Sequence, residues 1–140
     1  APVVKQVQDA ISTPVPPFGT YDGAPIYQAC LYLPEGKHEC LPKLREHCVV
    51  TWWNSGGVDV IAKGGGKVAG IRRYLEEKGI SREEIIAFGD GENDLEMLKF
   101  AGIGVAMANG EEAVKENADY ITDSVDEDGV YKALKHFHLI

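Results

Sequence analysis

At 140 residues, 44% of them hydrophobic, the chain has the length and apolar content of one ordinary packed domain, which excludes a disordered segment. No apolar run approaches the roughly 20 residues of a membrane-spanning helix, and the opening shows neither a basic stretch nor an apolar signal core, so a cytoplasmic protein without a membrane partner is expected. Fourteen basic against twenty-two acidic residues, a formal charge of −8, exclude nucleic acid as a partner and also repel a phosphate ester at long range, so binding one requires a local positive centre.

Residues 1 to about 27 lack periodicity and read as short helix and loop, with Pro14, Pro16 and Pro17 closely spaced and Asp22-Gly23 forming a turn. The opening does not resemble the start of a domain, from which a fragment or a processed chain is expected. From Ile26 the pattern improves. Ala29 to Leu33 reads as a strand, Glu35 to Arg45 as a short helix, Cys48 to Trp53 as a second strand and Val58 to Ala62 as a third. Asn54-Ser55-Gly56-Gly57 is a turn signal that makes the last two strands a hairpin. Cys30, Cys40 and Cys48 form an odd set without Cys-x-x-Cys spacing and read as reduced thiols. His38, His47, His136 and His138 show no ligand spacing and read as surface or packing residues.

Lys63 to Lys67 is a glycine-rich link. It is not a P-loop, because Val68 follows Lys67 where Ser or Thr is needed and Ile61 stands where the first glycine belongs. Val68, Ile71 and Leu75 describe an amphipathic helix stopped at Gly79, and Ser81-Arg82-Glu83-Glu84 is a capping-box pattern. The apolar run Ile85-Ile86-Ala87-Phe88 reads as a buried strand ending in Gly89-Asp90-Gly91, where the spacing becomes helical over Asn93 to Ala101. Strand Ile103–Ala106, a turn at Asn109-Gly110, helix Glu111–Asn117, strand Tyr120–Thr122 and helix Val130–Phe137 follow. This alternation predicts a parallel sheet with helical crossovers. Ser124 to Gly129 is an acidic turn; as a calcium loop it lacks the bidentate glutamate, since Lys135 stands at that position.

Asp90 therefore falls at the carboxyl end of a strand just before a helix, the edge of an open α/β sheet where ligands bind and free N–H groups suit an anion. Asp90, Asn93 and Asp94 supply hard oxygen atoms of the kind Mg2+ prefers. The same residue types also serve in solvated turns and as helix caps.

Gly89-Asp90-Gly91-Glu92-Asn93-Asp94-Leu95-Glu96-Met97-Leu98 resembles the fourth motif of the haloacid dehalogenase-like phosphatases, in the Cof-type branch with a large cap. The resemblance runs in order from about Val58 through Gly64-Gly65-Gly66-Lys67, Gly104-Val105-Ala106-Met107, Ala118-Asp119-Tyr120 and Asp126-Glu127-Asp128-Gly129-Val130. It implies an α/β fold: residues 63–140 as the C-terminal half of a doubly wound parallel-sheet core, and residues 1–62 as the closing α+β remainder of a cap domain. It also implies hydrolysis of small phosphate monoesters, sugar phosphates as a class, through an aspartyl-phosphate with Mg2+ as cofactor. By position, Asp90 would bind Mg2+ directly or through water and Asp94 would support the metal site. Asn93 would hydrogen-bond phosphate or order the metal's water, Lys67 would stabilise charge on the phosphoryl group, and Trp53 and Asn54 would be substrate contacts from the cap.

The chain departs from the family in lacking an Asp-x-Asp nucleophile motif: two residues before Asp22 stands Thr20, and Pro16-Pro17-Phe18-Gly19 cannot form the strand that motif needs. The second-motif Ser or Thr is also missing. A nucleophile outside the chain is thus expected, with the exposed sheet edge paired through self-association or complementation by an N-terminal half. A non-catalytic metal- or phosphate-binding module and a phosphomutase are the alternatives.

Overall fold

The computed structural model describes residues 2–34, 38–54 and 56–140. The chain separates into two compact units, Ala1–Gly65 and Gly66–Ile140. Among the described residues no helix is long and apolar enough to cross a membrane.

The first unit opens with helix α1 (Pro2–Ala10), which buries Val7 and Gln8. The Gln8 amide is satisfied from both ends: its Nε2 donates to the Tyr32 hydroxyl at 2.5 Å, and the Thr13 hydroxyl donates to its Oε1. A buried amide paired in this way avoids the desolvation cost of an orphan polar group and fixes α1 against the first strand. Residues 11–27 are exposed and without helix or strand, and the Asp22-Gly23 turn is held by the Ala24 N–H donating to the Asp22 carboxylate at 3.0 Å.

Strands β1 (Gln28–Tyr32), β2 (Cys48–Asn54) and β3 (Gly57–Ala62) form an antiparallel sheet in the order β1-β3-β2. The β2–β3 hairpin is as expected, with a register irregularity between Trp52 and Asn54. Cys30 lies opposite Asp59, and its thiol donates to the Asp59 carboxylate at 3.1 Å. Burial first, then that bond and charge, push the Cys30 thiol up. The helix expected from Glu35 is confined to α2 (Leu41–Arg45); positions 35–37 lie outside the described residues. Pro42 is the reason for the late start, because its ring is tolerated in a first turn and would clash inside a longer helix.

In the second unit, β4 (Ile86–Gly89), β5 (Ile103–Met107) and β6 (Tyr120–Thr122) make a parallel sheet in that order. Helix α3 (Lys67–Lys78) precedes it, α4 (Leu95–Phe100) and α5 (Glu112–Lys115) lie in the connections, and α6 (Gly129–His136) closes the chain. Consecutive residues Val105 and Ala106 on β5 are both 0% exposed, so both faces of the central strand are covered. Ala87, Leu98, Ala101, Ala106 and Val114 form the buried cluster that seats α4 and α5. Helix α3 stops at Gly79 in the left-handed region (φ 67°), and the capping box at Ser81 forms, its N–H donating to Glu84 at 2.8 Å. His136 stacks on Tyr120 at 4.4 Å, a packing role.

Three further expectations are corrected. The run Ile85–Phe88 is not a buried strand: β4 lies at the sheet's edge, and only Ala87 and Gly89 of it are buried while Ile86 and Phe88 are half-buried. The helix expected from Asn93 begins at Leu95, because Glu92–Asp94 winds as a tighter 3-10 turn. Helix α5 spans Glu112–Lys115, shorter at both ends than expected.

Candidate active site at the carboxyl end of strand β4

The chain leaves β4 at Gly89 and closes a turn in which the Asp94 N–H donates to the Gly91 carbonyl at 2.9 Å. That turn brings the Asp94 side chain back beneath the strand end. Asp94 is 6% exposed, and its Oδ2 accepts from the backbone N–H of Asp90 at 3.1 Å and of Gly91 at 3.4 Å. Its Oδ1 accepts from the Lys67 ammonium at the first residue of α3. Both oxygens of this buried carboxylate are therefore committed to donors, as a buried charge requires. Lys67 keeps 47% of its side chain exposed, so its ammonium is anchored on one side and open on the other.

The tight return depends on Gly89. A Cβ there would lie 2.5 Å from the Asp94 Cβ and 2.9 Å from its Cγ. Gly89→Ala is expected to push Asp94 out of this position and to destabilise the chain by about 1–3 kcal/mol, the usual range for overpacking a filled site; urea unfolding measures it, and an unchanged midpoint would refute the close approach.

Asp90 behaves differently. Its side chain is exposed, and its carboxylate meets the Asn109 amide at 3.5 Å. Its backbone is held by the loop after β5, where the Glu111 N–H donates to the Asp90 carbonyl at 2.8 Å and Gly110 packs so closely that a Cβ would fall 2.9 Å from the Asp90 Cα. Asn93 is half-buried and folds over Gly91, its Oδ1 3.0 Å from where a Gly91 Cβ would stand.

Lys67, Asp90, Asn93 and Asp94 are thus gathered at one sheet edge, with Lys67, Asp94 and the Asp90 backbone in a single hydrogen-bonded chain. Asp94's charge is compensated, while the Asp90 side chain is exposed, with the Asn109 amide beside its carboxylate. Among the described residues no three His, Cys, Asp or Glu side chains converge as a metal cage. The donor chemistry of Asp90 nevertheless suits Mg2+, which takes one or two carboxylates and fills the rest of its octahedron with water and phosphate oxygen.

Trp53 and Asn54 belong to the first unit. The Trp53 ring packs edge-on to Tyr32 at 5.9 Å and lies against Gly57, and its Nε1 is buried without a hydrogen-bond partner among the described residues. Sequence reasoning missed Asn109 and Gly110, treated there as a plain turn. Their position just past the end of the next parallel strand was the available signal.

The sequence pattern of the haloacid dehalogenase-like hydrolases matches residues 13–134. The chain is similar to the 5-amino-6-(5-phospho-D-ribitylamino)uracil phosphatase YcsE of Bacillus subtilis, 43% identical over 74% of this chain and 42% of that protein. Its structure resembles that of a haloalkanoate-superfamily phosphatase from Bacteroides thetaiotaomicron, with TM-score 0.86, 38% identity and coverage of 100% of this chain and 54% of that one. It also resembles a subclass IIB sugar phosphatase, with TM-score 0.76, 41% identity and coverage of 81% and 44%. The chain spans about half the length of these three relatives.

Proposed function

This chain belongs to the haloacid dehalogenase-like hydrolase family, and from that premise we propose that it is the carboxyl-terminal part of a cytoplasmic, Mg2+-dependent phosphatase for small phosphate monoesters, sugar phosphates among them. In this reading residues 63–140 are half of the catalytic core and residues 1–62 the closing part of its cap, with Trp53 and Asn54 reaching substrate. The nucleophilic aspartate is carried by another segment, whose strand pairs with the edge of β4.

The observation that carries the reading is the chain from Lys67 through Asp94 to Asp90, one cation and one outward carboxylate fixed at the sheet edge where phosphate esters bind. Asp90 would hold Mg2+. When bound, Mg2+ neutralises oxygens of the transferring phosphoryl group. Asp94, with both oxygens engaged by N–H donors, serves the metal site by fixing Asp90's backbone and aiming Lys67. The exposed side of the Lys67 ammonium stabilises charge on the phosphoryl group, and Asn93 donates to its oxygen atoms. The nucleophilic carboxylate attacks phosphorus as the ester oxygen leaves, and water then cleaves the acyl phosphate. The positive centre demanded by a chain of charge −8 is thereby local.

The test is phosphate release from a small generic ester by this chain, alone and with the missing N-terminal half added, with and without EDTA. Silence alone, rescue by the added half and loss of the rescued activity to EDTA are expected. Silence without rescue would favour a non-catalytic binding module, and a phosphorylated product in place of free phosphate would make the protein a mutase.

A further inference from the structure

We propose that Asn109 is a positioning residue that selects the rotamer of the Asp90 carboxylate, and that it is itself held by the backbone of Val125 in the loop after β6. The inference rests on the reading of Asp90 as the Mg2+ ligand for its consequence, though not for its geometry.

The side-chain amide of Asn109 has two ends with opposite hydrogen-bonding character. Its Oδ1 accepts from the Val125 N–H at 2.9 Å. That bond leaves Nδ2 as the end that faces Asp90, whose Oδ2 it reaches at 3.5 Å. A donor aimed at the carboxylate favours one χ1 setting of Asp90, which is otherwise an exposed side chain free to sample several. The rest of the same loop is already fastened to Asp90: the Glu111 N–H binds its carbonyl at 2.8 Å, and Gly110 lies against its Cα. Asn109 is therefore delivered to the carboxylate by a loop that cannot drift from the strand end. Val125 opens a 3-10 turn, Val125–Glu127, whose own bonds (the Glu127 N–H to the Ser124 carbonyl at 3.1 Å, the Gly129 N–H to the same oxygen at 3.0 Å) do not use the Val125 N–H. That N–H is thus spent on Asn109, and one amide joins the ends of three parallel strands at the Asp90 carboxylate.

Two substitutions separate this role from simple packing. Asn109→Ala removes the amide. Val125→Pro removes only the N–H that holds it, at a position that tolerates proline, since it is the first residue of the turn and Ser124 before it is extended at ψ 165°. The first readout needs no metal: three-bond couplings reporting Asp90 χ1 in the metal-free chain. A single rotamer is expected in the parent and averaging in both variants, with amide spectra unchanged away from residues 89–91, 107–111 and 124–127. The second readout is Mg2+ affinity by calorimetry. Asn109→Ala is expected to weaken it by about tenfold, the low end for loss of a group that orients a metal ligand, Val125→Pro by less, and the double variant no more than Asn109→Ala alone. One fixed Asp90 rotamer in Asn109→Ala, or additive losses in the double variant, would overturn the proposal. Absence of Mg2+ binding by the parent chain would instead remove the metal reading of Asp90, and the couplings alone would then decide the role of Asn109.

Discussion

Asp90→Asn is expected to cut Mg2+-dependent turnover of the complemented phosphatase by at least about 10³-fold, roughly 4 kcal/mol of transition-state stabilisation, while the urea midpoint of this chain stays where it was. The two halves of that expectation come from the same geometry. The Asp90 side chain is exposed and meets the Asn109 amide at 3.5 Å, so little folding energy depends on its charge; surface changes of this kind stay within about 0.5 kcal/mol. Its backbone bonds to Asp94 and Glu111 are made by N–H and carbonyl groups that the substitution leaves alone. Turnover, by contrast, depends on a full negative charge to hold the cation, and an amide supplies none. Activity assayed beside urea unfolding checks both. Turnover above one tenth of the parent would remove Asp90 from the metal site.

Four residues later the same change of charge has the reverse signature. Asp94→Ala is expected to destabilise the chain by about 1–3 kcal/mol, because it leaves partly buried donors without their acceptor. The Asp90 N–H and Gly91 N–H lose their shared oxygen, and the Lys67 ammonium loses its anchor. The lysine contributes the smaller part, since it is half-exposed and can return to water. Asp94→Asn keeps the shape yet replaces one acceptor with a donor, which must then face either the ammonium or the two N–H groups; a loss about half as large follows. Urea unfolding of the three proteins checks the order, and a midpoint for Asp94→Ala equal to the parent would sink the account. The contrast matters for reading any variant here, because lost activity at Asp94 includes lost structure and lost activity at Asp90 does not.

That β4, β5 and β6 form a parallel sheet was legible because each strand is short, apolar and followed by a helical period, a pattern that local sequence dictates. Gly79 and the Ser81 capping box were legible for the same reason: the chemistry that ends one helix and starts the next turn sits within a few residues. Helix α2 shows the limit of such reading, since a helix expected from Glu35 begins at Leu41, with Pro42 in its first turn.

What the sequence determined by itself is the identity of the chemical groups and their place along the chain: Asp90 at a strand's end, a lysine at the head of α3, an amide and a second carboxylate in the next turn. Tertiary structure alone decided which carboxylate faces outward. Asp90 and Asp94 are the same residue type four positions apart in a polar stretch, and nothing local separates them. The separation comes from Lys67, 27 positions from Asp94 in the chain, and from a glycine strand end that lets Asp94 fold under and accept three donors. The role of Asn109 was hidden for the same reason: its two partners, Asp90 and Val125, lie 19 and 16 positions away, and only the side-by-side alignment of parallel strands brings their ends together.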